Sequence, residues 1–327
     1  MRTFKHSLLT MALGLAVSFA GLTQAHAADP FPSKPIRIIA PSSPGGILDL
    51  TSRLVGKKLS DQLKHPVVIE NMPGAGGIIG VQGMLRAEPD GHTMVMGSLG
   101  PNAANYTLRT NLPYTMADFA PVINVLSMPN VLVVNPKLPV TNLAQFKAYA
   151  ATKPGGLSMA ISTSGSSGHL AGELLKIRLQ VPAVNVIYKG AAPALTDLIA
   201  GQVDFMVDNM ITALPHIKAG KLRAIAVTTK ARSVDLPDVP GLAELGYPDI
   251  DVGVWVGLLV SSKTPPAIVE KLNVALNAVL ADPEIRATFA KQGGVAVGGS
   301  AADFDKFIRA EKDRWEKVIT TAKLKPD

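Results

Sequence analysis

From residue 35 onward, short apolar runs alternate with stretches whose apolar residues recur near every 3.6 positions. The runs are joined by loops rich in Gly, Ser and Pro. That alternation constrains the fold more than any other feature. Short apolar strands joined by helices argue for a parallel sheet covered on both faces, and so for an α/β architecture. Strands are expected at 35–40, 66–70, 92–97, 157–161, 184–188, 203–207 and 222–227. Helices are expected at 47–64, 78–87, 142–152, 167–180, 193–200, 266–292 and 301–322, with a short one between the last two of those strands. A long apolar stretch punctuated by Pro, residues 119–135, reads as a crossover into a second lobe. Residues 252–260 read as the strand that returns.

Two junctions share one design. Residues 41–49 (P-S-S-P-G-G-I-L-D) follow the apolar run Ile36-Arg37-Ile38-Ile39-Ala40 and precede a helix carrying Leu48, Val55, Leu59 and Leu63. Residues 162–168 (S-T-S-G-S-S-G) follow an apolar strand and precede a helix carrying Leu170, Leu174 and Leu175. A strand, a small-residue loop and a helix N-terminus together aim unpaired backbone N–H groups at one spot. Such a spot attracts an anion through hydrogen bonds and the helix dipole. The serine and threonine hydroxyls of the second loop can donate to an anion, and Ser166 or Ser167 can cap the helix. Two loops of this kind, one in each lobe, predict a pincer for a small carboxylate.

The N-terminal segment is set apart. Arg2 and Lys5 precede an apolar stretch over 8–22, and Ala25-His26-Ala27 fits a small-x-small cleavage site. This is the pattern of a secretory signal peptide, residues 1–27, cut near Ala27 and placing the mature chain in a periplasm. No later run reaches the roughly 18 apolar residues of a membrane span. The remaining length of about 300 residues fits two lobes. With no cysteine in the chain, disulfide and thiol chemistry are excluded, and 47% apolar residues can build the core instead. The formal charge of +7 is scattered, and aromatics are 5%. Neither a basic stripe nor stacking rings mark a nucleic-acid surface.

Other chemistries fare less well. Gly74-Ala75-Gly76-Gly77-Ile78-Ile79-Gly80 lacks the spacing and the position of a dinucleotide fingerprint, and Gly97-Ser98-Leu99-Gly100 lacks that of a nucleophile elbow. His65, His92, His169 and His216 show no metal-ligand spacing. His169 follows Ser166-Ser167-Gly168, but neighbours in a helix do not face one another. It reads as a first-turn histidine, and a periplasmic serine hydrolase using Ser98 or Ser166 with His169 stands as a rival. Asp197 reads as a solvated helix residue. Asp208, at the carboxyl end of its strand, either receives a ligand ammonium or hydroxyl or caps the following turn.

The segments K-P-I-R-I-I-A-P-S-S-P-G-G-I-L-D (34–49), E-N-M-P-G-A-G-G (70–77) and P-D-G-H-T (89–93) resemble the tripartite tricarboxylate transporter receptors, also called Bug proteins. So do Y-K-G-A-A-P-A-L-T-D-L-I-A-G-Q-V-D-F-M-V-D-N (188–209) and W-V-G-L-L-V-S-S-K-T-P (255–265). The resemblance covers nearly the whole mature chain, in order. It implies a two-lobed periplasmic binding protein of the Venus-flytrap kind, each lobe a sheet flanked by helices and joined to the other by two crossing strands. Lobe 1 would comprise 28–127 and 253–327, and lobe 2 would comprise 128–252.

Members of such a family hold a carboxylate with backbone N–H groups and waters of the first-lobe loop rather than with an arginine. Carried onto this sequence, that role falls to Ser42, Ser43, Pro44, Gly45, Gly46 and Asp49, with Ser98 and Asn102 nearby. Lobe 2 would contribute Thr163, Ser164, Ser166, Ser167, Gly168, Lys189, Gly190 and Asp208. The family usually has an aromatic residue where this chain has Ser42, which removes one apolar wall. His92 stands where tyrosine is common. The function implied is capture of a di- or tricarboxylate, an aromatic carboxylate or an acidic amino acid for uptake, without catalysis, cofactor or metal. The partners expected are the carboxylate and either membrane permease subunits or a membrane sensor kinase, for which this chain would be the ligand-sensing subunit. It is expected to act as a monomer and to bind no nucleic acid.

Overall fold

The computed structural model describes residues 31–230, 232–321 and 323–324; the expected signal peptide lies outside them. The strands are β1 (Ile36–Ala40), β2 (Val67–Asn71), β3 (Thr93–Ser98), β4 (Phe119–Val134), β5 (Leu157–Ile161), β6 (Ala183–Ile187), β7 (Phe205–Asn209), β8 (Arg223–Val227), β9 (Gly253–Ser261) and β10 (Val295–Gly298). The helices are α1 (Ile47–Leu63), α2 (Ile78–Leu85), α3 (Asn105–Leu108), α4 (Leu143–Ala151), α5 (Ser167–Leu179), α6 (Ala191–Ala200), α7 (Met210–Lys218), α8 (Pro266–Ala281), α9 (Pro283–Lys291) and α10 (Ala301–Thr321). Among the described residues, no helix is long and apolar enough to cross a membrane.

The strands run in the order β2-β1-β3-β9-β4-β7-β5-β6, with β8 and β10 also paired to β4. Two parallel cores, β2-β1-β3 and β6-β5-β7, form the two lobes, and antiparallel β9 and β4 stand between them. In β1, Ile36, Ile38, Ile39 and Ala40 are fully buried, as expected for a parallel strand covered on both faces. The long apolar stretch is one strand that changes partners. Its residues from Phe119 to Pro129 pair with β9, and those from Asn130 to Val134 pair with β7. Register shifts follow Pro121 and Asn124, where the strand bends. Bulges are among the few places a strand interior accepts proline.

The crossing is pinned by polar groups. Asn130, fully buried, donates from Nδ2 to the Val252 carbonyl at 3.1 Å, just before β9 begins. Thr228, after β8, donates from Oγ1 to the same carbonyl at 2.6 Å and from its backbone N–H to the Asn130 carbonyl at 2.9 Å. Ser167 donates to Asn130 Oδ1 at 3.2 Å, tying the first residue of α5 to the crossing.

Three features depart from the sequence reading. The helical pattern at 266–292 is two helices, because Pro283 has no N–H to donate and Asp282 caps the second helix by accepting from Glu284 N–H at 2.7 Å. Strand β10, with its exposed Val295 and Val297 set among glycines, is too short to read from sequence. A π-helical turn at Gly100–Ala104 leads into α3 where no helix was expected.

Replacing Asn130 by alanine removes one of the two donors to the Val252 carbonyl and leaves the buried Ser167 hydroxyl only the Asn209 Oδ1 acceptor at 3.5 Å. Asn130→Ala is therefore expected to lower stability by about 1–3 kcal/mol, read as a lower urea midpoint at unchanged slope.

Candidate functional site

The first-lobe loop is held from behind by Asp49. This residue is 2% exposed and accepts from Gly45 N–H at 2.9 Å, from Asn71 Nδ2 at 2.9 Å and from Arg53 at 2.8 Å. Burial alone would raise its pKa. The hydrogen bonds from Arg53, Gly45 and Asn71 outweigh that and hold it below the usual carboxylate range. Asn71 also donates to the Ser42 carbonyl at 3.1 Å. Gly45 sits at φ +80°, a left-handed turn that glycine takes at no steric cost. The outcome is that Gly46 starts α1 with no side-chain cap, facing a cleft.

Five more chain turns converge on that cleft. From the same lobe come Gly76 and Gly77, which lead into α2, and Ser98 to Pro101, which open the π-helical turn. From the other lobe come Ser162, Thr163, Ser164, Ser166 and Ser167 at the start of α5, Gly190 and Ala191 at the start of α6, and Asn209 at the start of α7. Of the helices that begin there, α5 has a side-chain cap, the Ser166 hydroxyl accepting from His169 N–H at 3.2 Å; α1, α2, α6 and α7 have none. Val254, Trp255 and Val256 of the crossing strand β9 close the back. Trp255 is fixed by an edge-on contact to Phe304 and by donation from Nε1 to Glu311 Oε2 at 3.2 Å. Among the described residues, no lining side chain carries a formal charge.

The expected site residues separate into two groups. Ser42, Gly46, Ser98, Thr163, Ser164, Ser166, Ser167 and Gly190 line the cleft together. Ser42 Oγ is buried with no hydrogen-bond partner, a hydroxyl left for whatever enters. The others stand outside the lining. Pro44 and Gly45 shape the turn, and Ser43 donates across the lobes to the Lys189 carbonyl. Asp49 is the brace behind the loop. Asn102 accepts from Ser98 N–H at 3.1 Å. Gly168 allows α5 to press on β7, since a Cβ there would lie 2.2 Å from the Val207 carbonyl oxygen. His169 Nδ1 accepts from Gly165 N–H at 2.9 Å, and its Nε2 lies 3.8 Å from Glu173.

Asp208 is 1% exposed; Oδ2 accepts from Thr212 Oγ1 at 2.6 Å, and Oδ1 has no partner. Burial pushes its pKa up to about 6, against the opposing bonds from Thr212 and Asn209.

The sequence reading missed Gly76, Gly77, Leu99, Gly100, Pro101, Asn209 and the Val254 to Val256 wall. The doubled glycines before α2 were a visible signal. The wall was not, because only the return of β9 past β4 brings it there.

The family model of the tripartite tricarboxylate transporter family receptor matches residues 51–324. Protein BugT of Bordetella pertussis is 37% identical over 322 residues, covering 97% of this chain and 98% of that protein. Among solved structures, R. palustris Rpa4515 with adipate aligns at TM-score 0.88 and 35% identity, over 91% of this chain and 100% of that one. MatC from Rhodopseudomonas palustris with bound malate aligns at TM-score 0.84 and 32% identity, over 88% of this chain and 100% of that one.

Asp208 gives a pH signature. Its folded pKa lies above its unfolded one, so the folded state retains a proton that the unfolded chain loses, and the contribution of Asp208 to stability falls as pH rises from about 4 to about 6. Asp208→Asn is expected to remove this dependence. It should match the wild type below pH 4 and exceed it at pH 7 by about 3 kcal/mol, measured by denaturant titration at both pH values.

Proposed function

The chain belongs to the tripartite tricarboxylate transporter receptor family, and from that premise we propose that it captures a small carboxylate between its lobes for uptake across the cytoplasmic membrane. The observation that carries this reading is the convergence of helix N-termini from both lobes on a cleft without a charged side chain. Each uncapped N-terminus offers backbone N–H groups and the positive end of a helix dipole. Fixed dipoles of this kind bind an anion without burying a second ion that would itself need compensation. The orphan Ser42 hydroxyl and the serines of the other jaw add donors of the right kind. The ligand class is a di- or tricarboxylate, an aromatic carboxylate or an acidic amino acid. The room between the jaws, about 70 Å³, is less than the roughly 150 Å³ of an engineered cavity that takes benzene, which supports the smaller members.

On this reading the ligand residues are those lining the cleft: Ser42, Gly46, Ser98, Thr163, Ser164, Ser166, Ser167 and Gly190. Asp49, Asn102, Gly168 and Asp208 support them from behind. Lobe 1 comprises 28–127 and 253–327 and lobe 2 comprises 128–252, supported by the exchange of partners along β4 between Pro129 and Asn130. The chain is exported, loses its leader near Ala27, and works as a monomer that hands its ligand to membrane permease subunits. Binding proceeds by lobe closure without turnover. The tie from Gly165 to His169 Nδ1 supports a structural rather than a catalytic histidine.

A melting-curve screen of mono-, di- and tricarboxylates and acidic amino acids tests the class. A ligand present at 100 times its Kd adds about 2.7 kcal/mol of stability; a shift by unrelated ligands alone sinks the assignment. The chain has two tryptophans, so Trp255 emission should change on binding while Trp315, outside the cleft, should not respond. Gly46→Val crowds the Ser42 hydroxyl and the Ser43 carbonyl, each 3.3 Å from the added Cβ. It should weaken binding at least about tenfold while the ligand-free melting point stays within a few degrees.

A further inference from the structure

Beside the cleft, a serine of the first-lobe loop holds the loop that leads into α6 of the other lobe. Ser43 stands outside the cleft lining, and its Oγ donates across the lobes to the Lys189 carbonyl. The next residue, Gly190, lines the cleft and precedes α6, which has no side-chain cap. Gly190 has φ +147°, and a Cβ there would lie 2.9 Å from Ser43 Cβ and 3.0 Å from Ser43 Oγ. The turn and the close approach both require glycine. Each side of the contact is braced within its own lobe. The Ser43 carbonyl accepts from Gly46 N–H at 3.2 Å, and Asn71 Nδ2 holds the neighbouring Ser42 carbonyl at 3.1 Å. Across the gap, Tyr188 N–H donates to the Ile161 carbonyl at 2.8 Å, and the Tyr188 hydroxyl donates to Asp197 Oδ2 of α6 at 2.7 Å.

We infer that Ser43 is a positioning residue that seats the start of α6 against the anion cleft when the lobes close. The inference rests on the carboxylate reading above. The carbonyl that Ser43 grips belongs to the peptide unit whose N–H is that of Gly190, and a peptide unit is planar. Fixing the direction of the carbonyl therefore fixes the direction of the N–H. A carbonyl that accepts a hydrogen bond also polarises its own peptide unit, which strengthens the N–H as a donor. The field of a helix dipole falls off within the first turn. The start of α6 thus helps to hold an anion only when the loop before it is set against the cleft. Ser43 and Lys189 belong to different lobes, so their bond forms only when the jaws meet. Between other loops, Arg109 Nη2 of lobe 1 donates to Ser164 Oγ of lobe 2 at 3.2 Å. Loss of the Ser43 bond therefore loosens the α6 side of the seam without parting the lobes.

The test compares Ser43→Ala, Ser43→Val and Ser43→Thr. Threonine keeps the donor and valine has nearly the same shape without it, so this pair separates the hydroxyl from bulk. Binding of malate and adipate is measured by calorimetry and stopped-flow. Closure is measured independently of ligand. Because the chain has no cysteine, Lys57→Cys and Lys147→Cys can carry spin labels on the exposed faces of α1 and α4. Ser43→Ala and Ser43→Val are expected to weaken binding roughly three- to tenfold, the loss of one ordinary hydrogen bond. The loss should come through a faster off-rate at an unchanged on-rate, and Ser43→Thr should bind within about twofold of the wild type. The interlobe distance should move toward the open population in Ser43→Ala and Ser43→Val but not in Ser43→Thr.

Equal losses in Ser43→Thr and Ser43→Val, a loss carried by the on-rate, or unchanged affinity or unchanged distances in Ser43→Ala would overturn the inference. If neither probe binds the wild type, the ligand-free distances still decide the contact between the lobes, and the carboxylate reading fails separately. A lower ligand-free melting point in Ser43→Ala with no change in distance or off-rate assigns Ser43 a merely structural role and likewise overturns the inference.

Discussion

One buried amide, that of Asn130, joins everything that must stay in register for a two-lobed receptor to work. It sits where β4 leaves the sheet of one lobe for that of the other, and it donates to the chain segment that makes the return crossing. Its oxygen accepts from Ser167, the first residue of the helix whose N-terminus faces the cleft. A strand that changes partners leaves backbone groups without a ladder at the switch, and buried groups of that kind must find partners elsewhere. Asn130 and Thr228 supply them. The hinge is thus anchored in the same hydrogen-bonded cluster as the start of one jaw.

The electrostatics depend on where charge is kept. Formal charges surround the cleft without entering it. Asp49 and Arg53 neutralise each other behind the first loop, Glu311 and Arg314 do so behind Trp255, and Arg109 stops at Ser164. What the cleft presents directly is hydroxyl and backbone. An ion in the lining would carry its desolvation cost whether or not a ligand was present, whereas helix dipoles are fixed by the fold. The brace residues matter to the cleft no less than its lining does. Without Asp49 to hold Gly45 and Asn71, the loop carrying Ser42 and Gly46 would lose the bonds that aim it.

The parallel cores and the two Gly/Ser loops were legible because their signals are local. An apolar run of five residues, a small-residue loop and a 3.6-residue period sit together in the sequence, and β5 and the start of α5 fall where that pattern puts them. The pairing of loops across a cleft was legible from their repetition. The roles of Asp49, Asn102 and Gly168 were not. Residue type and proximity to a motif indicate that a residue matters, yet not whether it faces inward or outward. Asp49 lies in the first turn of α1, where an acid suits the dipole, but its rotation about that helix turns the carboxylate to Asn71 on β2. Arg109 was invisible for a further reason. It lies 55 positions from Ser164, at the end of the short helix α3, and no short pattern announces that the two meet.

The wall of the cleft shows how a local substitution is read only in three dimensions. Ser42 in place of an aromatic residue suggests, from sequence, a cleft lacking one apolar face. In the fold, Trp255 stands at the back of the same cleft on β9, with Val254 and Val256 beside it. Trp255 is not on a loop that can yield. Its backbone is paired to Ser127 of β4, its ring is wedged against Phe304 and Phe307, and its N–H is tied to Glu311. Arg314 links Glu311 to the Asp251 carbonyl, at the entry to the return crossing. The apolar wall therefore belongs to the hinge, whereas the hydroxyls belong to the jaws. A ligand that presses on the wall meets a surface held by the crossing strands themselves, and one that reaches only the hydroxyls meets the loops of the two lobes. On the proposed reading, selectivity for the apolar part of a ligand is set by the rigid element, and affinity for its anionic part by the hydroxyl-bearing loops.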